Sequence, residues 1–145
     1  MKKLSNRNKE GKRYFEGVRV YILNFGLFKK GAAMTLPGLG IFIGPYSTDN
    51  TDLLRHEFGH ILQYREWGFI RFYWSIAPAS LRSANRANRD SSFVHMDTWC
   101  EWSANRLSYH YFNKPLDWNM AAYPIRNKSS RPGAMPPFSS GVFEL

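Results

Sequence analysis

The segment HEFGH, residues 56–60, decides how the rest of this sequence is organised. On an α-helix His56 and His60 are one turn apart, so both imidazoles project from the same face and can bind one metal ion. Glu57 lies beside them, within reach of a metal-bound water but directed away from the two ligands. This H-E-x-x-H arrangement is typical of a zinc site in which the glutamate acts as general base.

The residues around HEFGH predict a long helix. STDNTD, residues 47–52, offers several N-cap residues, and apolar or histidine positions recur through LLRHEFGHILQYREWG. We predict a helix over residues 51–67, ended by Gly68.

The preceding residues predict a small sheet of about three strands. RVYILNFG, residues 19–26, is apolar and β-branched. Pro37 and Gly38 suit the central positions of a type II turn, so residues 32–36 should pair with residues 39–43 in a hairpin.

A catalytic zinc site needs a third protein ligand, and the sequence offers candidates near a second helix predicted over residues 98–112. Four downstream side chains are available: His95, Asp97, Glu101 and His110. His110 would face the opposite side of this helix from Glu101, and Asp97 resembles a cap residue. We favour Glu101 as the ligand, because an H-E-x-x-H site needs a third one and Glu101 lies one turn before Asn105 on this helix.

A second explanation of Glu101 remains open. Thr98 and Glu101 form a T-x-x-E capping box, in which the glutamate would bond back to the Thr98 backbone. A helix that begins earlier, near residues 91–92, would instead place Glu101 in mid-helix, where it can bind metal.

HEFGH followed by E-x-x-A-N (Glu101, Ala104, Asn105) resembles the gluzincins, zinc metallopeptidases whose third ligand is a glutamate on a second helix. The pattern over residues 35–112 is similar to small single-domain bacterial zinc peptidase-like proteins. The resemblance implies a minimal α+β zincin-like domain, with the small sheet, the active-site helix and the glutamate helix closing over one Zn²⁺.

The resemblance also implies roles for further residues. Such folds place an edge strand above the zinc, to which an extended peptide can add, and residues 40–44 are the candidate for it. The alternative is that residues 40–44 form an ordinary core strand. Gluzincins commonly carry an aspartate at the position of Asn105, where it holds the first histidine. Asn105 would then accept a hydrogen bond from His56, as a neutral substitute for that aspartate. His95 would assist catalysis by stabilising the oxyanion.

Length and composition set the remaining expectations. The 145 residues predict one domain, residues 1–145, with a basic segment at residues 1–16 and a Pro/Gly/Ser-rich tail at residues 124–145. The N-terminus lacks the apolar region of a secretory signal. Residues 67–81 are too short for a membrane span, contain Arg71 and are expected to break at Pro78. We therefore expect a cytoplasmic protein.

The net charge of +9 favours acidic partners. Arg82, Arg86 and Arg89 share one face if SLRSANRANRD is helical. These arginines form either a solvated face or a surface that contacts an anionic partner. The anionic partner that we consider is the surface of a membrane, bound peripherally. We do not expect nucleic acid as a partner.

The function expected from these observations is zinc-dependent hydrolysis of peptide bonds in a peptide or protein substrate, by Glu57-assisted attack of a zinc-bound water. Two alternatives remain. One is a zincin-like protein that binds zinc without peptidase activity. The other is a basic module that binds membrane surfaces or nucleic acid, in which HEFGH is incidental.

Overall fold

The computed structural model describes residues 12–126 and the backbone of residues 6–7. Most of the predicted basic segment (residues 1–16) and of the predicted tail (residues 124–145) lies outside the described residues. The chain is α+β, and it divides into two compact units, Met1–Ile61 and Leu62–Leu145. No helix in the described part of the chain is both long enough and apolar enough to cross a membrane.

The first unit is built on a five-stranded mixed sheet. Its strands are β1 (Asn6–Arg7), β2 (Arg13–Phe15), β3 (Val18–Ile22), β4 (Ala33–Leu36) and β5 (Gly40–Ile43). They lie in the order β1-β2-β3-β5-β4, and only the β3–β5 pair is parallel. The sequence predicted about three strands, because β1 and β2 lie in residues 1–16, which were assigned to the basic N-terminal segment.

The predicted hairpin is confirmed. Strands β4 and β5 pair antiparallel, with Leu36 opposite Gly40. The Leu39 N–H donates to the Leu36 carbonyl across 2.9 Å, and Gly38 has a φ of +90°. A positive φ at the third position is what a type II turn requires, and glycine adopts it without a steric penalty.

Strand β5 is a core strand, and the other interpretation of residues 40–44, an edge strand, is wrong. Strand β5 lies between β3 and β4, with Ile41 paired to Val20 on one side and to Thr35 on the other. Ile41 and Ile43 are fully buried, as expected for an interior strand that is covered by other elements. Among the described strands, β4 is the last in the sheet order on this side, so β4 is the edge strand next to β5.

Helix α1 (Thr51–Arg71) carries HEFGH and confirms the helix predicted over residues 51–67. The Asn50 side chain caps its start by accepting a hydrogen bond from the Leu53 N–H at 3.0 Å. Phe58 is fully buried and packs edge-to-face on Phe15 of β2, with the ring centroids 6.0 Å apart. Gly68 interrupts the helical geometry with a φ of 82°, at the position where the sequence predicted the helix to end.

The second unit is helical. After the last turns of α1 come a π-helical segment (Phe72–Ile76), α2 (Ala77–Arg89) and α3 (Trp99–Tyr111). Its core consists of five buried side chains: Trp67, Phe72, Ile76, Cys100 and Leu107.

Two helical predictions for this unit have different outcomes. Helix α3 agrees with the predicted residues 98–112 to within one residue at each end. The break predicted at Pro78 is wrong, because Pro78 occupies the first turn of α2, where its missing N–H costs no hydrogen bond.

Candidate metal centre

The structure brings three of the predicted site residues together. His56, His60 and Glu101 are all buried, and one potential ligand atom from each lies within 4.8 Å of the others. The two imidazole rings are 5.0 Å apart at an angle of 81°, as expected for residues one helical turn apart. This group can hold a metal ion.

The setting of Glu101 bears on both explanations of this residue. Helix α3 begins at Trp99 with Thr98 as N-cap, as the predicted residues 98–112 require, and not near residues 91–92 as in the alternative. The Thr98 side chain makes no cap hydrogen bond and instead donates to the His95 carbonyl at 2.8 Å. The Thr98 N–H donates to the same carbonyl at 3.1 Å. Both groups that a capping box needs are therefore engaged with His95.

Glu101 is fully buried and has close neighbours in its own unit. The Cys100 thiol donates to Glu101 Oε1 at 3.5 Å, and His95 Nε2 lies 3.6 Å from Glu101 Oε2. Burial raises the pKa of the Cys100 thiol to about 12, and the charge of Glu101 adds to the rise. Cys100 therefore stays protonated and acts as a weak hydrogen-bond donor to the carboxylate.

Ser83 contacts the ring of His95, a role that the sequence did not predict. Ser83 Oγ lies 2.6 Å from His95 Nδ1 and 2.9 Å from the Ser80 carbonyl oxygen. When the hydroxyl proton goes to the Ser80 carbonyl, Ser83 accepts from an N–H at Nδ1, and the tautomer of His95 decides between the two directions. In either case the contact holds the Nδ1 side of the ring while Nε2 lies on the side of Glu101. The available signal was a serine on the same buried stripe as Phe72 and Ile76.

Glu57 is held by a strand residue that the sequence did not single out. Glu57 is buried, and Thr35 Oγ1 of β4 lies 2.6 Å from its Oε2 and 3.0 Å from its carbonyl oxygen. A single hydroxyl proton is shared between these acceptors, with the shorter contact to the carboxylate. Thr35 and Glu57 are 22 residues apart, so no local sequence pattern connects them.

Asn105 is fully buried on α3. Its Nδ2 donates to the Pro124 carbonyl at 2.9 Å, which fixes the orientation of the amide and directs Oδ1 away from Pro124. The bond predicted from His56 to this oxygen stays a prediction.

Gln63 holds α3 in place within the second unit. It is fully buried, and its Nε2 lies 2.7 Å from the Cys100 carbonyl and 2.7 Å from Ser103 Oγ. These bonds join α1 to the turn of α3 that carries Glu101, so they restrict the position of that carboxylate. Gln63 lies three residues after His60 in the sequence, and no role was predicted for it.

The remaining candidates are not part of the group of three described ligands. Asp97 lies in a short 3-10 turn, His95–Asp97, ahead of α3. Near the C-terminal end of α3, burial lowers the pKa of His110, and the charges of Lys114 and Arg106 lower it further.

Comparison with known proteins adds no relative to this picture. No protein-family model, curated protein or solved structure matches the chain. The resemblance to gluzincins therefore depends on the quoted sequence motifs.

Proposed function

We propose that this chain is a zinc-dependent metallopeptidase, in which His56, His60 and Glu101 hold the ion and Glu57 is the general base. The observation that carries the proposal is the buried group of these three ligands, with Glu57 directly after the first of them in sequence. The expected zincin-like fold belongs to the same proposal.

The donor set suits zinc. Two imidazoles and one carboxylate are ligands that catalytic zinc sites use, and they leave the fourth position for water. Ligand atoms about 2.0–2.1 Å from a tetrahedral zinc ion lie about 3.3 Å apart, so small side-chain rotations would suffice from separations of up to 4.8 Å. When bound, zinc supplies Lewis-acid chemistry and lowers the pKa of water toward about 7.

Glu57 would move the protons in this reaction. Its carboxylate would take a proton from the attacking water and pass it to the leaving amine, as a general base and then a general acid. The Thr35 hydroxyl, 2.6 Å away, would keep the carboxylate in one orientation. A carboxylate that is already held in the reactive orientation lowers the entropic part of the activation barrier.

The substrate in this proposal is an extended peptide that adds to β4. This strand is the sheet edge next to β5, and its Thr35 touches Glu57 directly. A peptide paired with β4 would therefore lie beside the general base. Backbone hydrogen bonds would hold it, and side-chain contacts would set the preference.

His95 is the proposed oxyanion donor. Its side chain is partly exposed, at 25%, while its Nε2 faces the buried Glu101. Ser83 holds the Nδ1 side of the ring. As an imidazolium, His95 would donate from Nε2 to the negative charge that develops on the scissile carbonyl oxygen.

The test is peptide turnover by zinc-loaded protein, with products from a mixed peptide library detected by mass spectrometry. Glu57→Gln should abolish turnover and keep zinc bound, because glutamine has the shape of glutamate but cannot accept the proton. The matched control is Glu66→Gln, the same substitution at an exposed position of α1, which should change neither property. Bound zinc without turnover would favour a metal-binding protein that is not a peptidase, and absence of bound zinc would refute both.

A further inference from the structure

Residues 69–89 form a helical stretch with an exposed face that the proposed peptidase does not use. It comprises the end of α1 after Gly68, the π-helical segment and α2. Ile70, Trp74 and Leu81 are exposed at 71%, 80% and 58%, although they are large and apolar. Phe72 and Ile76, between them in sequence, are buried at 2% and 0%.

The spacing explains this division into two faces. Ile70, Trp74 and Leu81 follow one another at intervals of four and seven residues, which places them along one side of a helix. Leaving three such side chains in water loses the free energy that burial would provide. An exposed apolar row of this kind is typical of an interaction surface.

The same stretch has positive charge only. Residues 69–89 contain four arginines and no lysine, aspartate or glutamate, so the stretch carries a charge of +4. These arginines are Arg71, Arg82, Arg86 and Arg89, and all four are exposed. Arg86 also lies over the Phe93 ring at 4.3 Å from its centroid. Arg82 and Arg89 flank the apolar row, because Arg82 directly follows Leu81 and Arg89 lies about two turns beyond it.

We infer that this face binds the surface of an anionic lipid bilayer, with the helical stretch lying in the plane of the interface. Helices that lie in such interfaces combine a row of Trp, Phe or Leu with arginines or lysines on the polar side. Ile70, Trp74 and Leu81 enter the headgroup and acyl boundary, where tryptophan is favoured. Arg82 and Arg89 contact the phosphates.

Two other partners fit the surface less well. Nucleic acid would use the arginines, but isoleucine and leucine have no function at a phosphate backbone. A second copy of this chain could cover the apolar row, but it would bring one stretch of charge +4 against another. An anionic bilayer complements both features of this face.

The experiment measures binding to sedimented vesicles at low salt. The vesicles contain equal parts of phosphatidylcholine and phosphatidylglycerol, and pure phosphatidylcholine vesicles are the neutral comparison. The double variant Arg82→Glu/Arg89→Glu should bind at least about 25-fold more weakly, since each basic residue near an anionic surface contributes about fivefold. Lys29→Glu/Lys30→Glu is the matched control, because it makes the same charge change at exposed residues outside this stretch.

The apolar row has its own variant and control. Trp74→Ser should weaken vesicle binding about tenfold, and Tyr46→Ser, which removes another exposed ring, should not. Tryptophan emission should shift to the blue on vesicle binding in the wild type and not in Trp74→Ser, because three of the other four tryptophans are already buried.

Three outcomes would overturn the inference. Equal losses in the two double variants would mean that binding depends only on net charge. Full binding by Trp74→Ser, together with equally tight binding of single-stranded DNA, would mean a general anion surface. Concentration-dependent dimerisation that Trp74→Ser abolishes would identify a second copy as the partner. Peptide turnover is independent of all three readouts.

Discussion

The substitution Glu101→Gln tests whether this carboxylate is the third metal ligand. Glu101 is fully buried, and glutamine has nearly the same volume, so the substitution leaves no cavity. It removes the negative charge and one strong ligand atom while His56 and His60 remain. We expect zinc to stabilise the wild type strongly and the variant hardly at all.

The magnitude follows from the number of ligands. Structural zinc sites with four ligands bind with about 10–16 kcal/mol, or about 3 kcal/mol per ligand, so loss of one ligand raises Kd by a factor of about 100 or more. Zinc at a hundred times the wild-type Kd stabilises the wild type by about 2.7 kcal/mol, and a variant with hundredfold weaker binding by only about 0.4 kcal/mol. At about 2–4 °C per kcal/mol, zinc should raise Tm by about 5–11 °C in the wild type and by about 1–2 °C in the variant.

The assay is thermal unfolding followed by circular dichroism, with zinc or with a chelator. Glu66→Gln repeats the chemistry at an exposed site and should retain the full zinc-dependent shift. His95→Ala should retain it as well. A full shift in Glu101→Gln, with loss of the shift in His95→Ala, would show that His95 is the third ligand and that the gluzincin assignment is wrong.

Three further substitutions test the residues that hold the site. Thr35→Val removes the hydroxyl that contacts Glu57, so kcat should fall about tenfold or more. Zinc affinity, measured by competitive chelator titration, should stay unchanged, and a fall in zinc affinity would argue against a role of Thr35 in positioning Glu57. Ser83→Ala removes the hydroxyl that contacts His95, so it should lower kcat more than it changes KM, and Ser83→Thr should partly restore kcat. Equal kinetics in the wild type and both variants would mean that Ser83 contributes only to packing. Asn105→Leu should weaken zinc binding about 10–100-fold in the same titration. Asn105→Asp should lower the free energy of unfolding, measured in urea, by about 1–3 kcal/mol, because a carboxylate cannot donate a hydrogen bond to the Pro124 carbonyl. Silent behaviour of both Asn105 variants would remove this residue from the site.

The structure changes what the sequence suggested for Asn105. From sequence, aspartate looked acceptable at this position, because gluzincins commonly carry it. The amide nitrogen of Asn105, however, donates to the Pro124 carbonyl, 19 residues away. An expectation based on a resemblance could not include a hydrogen bond to a residue outside the motif.

Local physical chemistry determined much of this protein from its sequence. The cap residues before HEFGH and Gly68 after it set the helix that carries His56 and His60, because capping and helical periodicity depend on neighbours within a few residues. Pro37 and Gly38 set the hairpin for the same reason, since a type II turn is defined by four consecutive residues.

Tertiary structure alone decided the contacts between distant residues. The position of β5 inside the sheet depends on its parallel pairing with β3, and no local pattern encodes which strands become neighbours. The contact of Thr35 with Glu57 joins residues on different elements in the same way. HEFGH by itself predicts a third ligand without locating it, because ligand geometry within one helix turn constrains only the residues of that turn. The second helix and the E-x-x-A-N motif named Glu101 as the candidate, but they could not supply its distance from the histidines. Glu101 joins the two histidines because the folded chain brings it there.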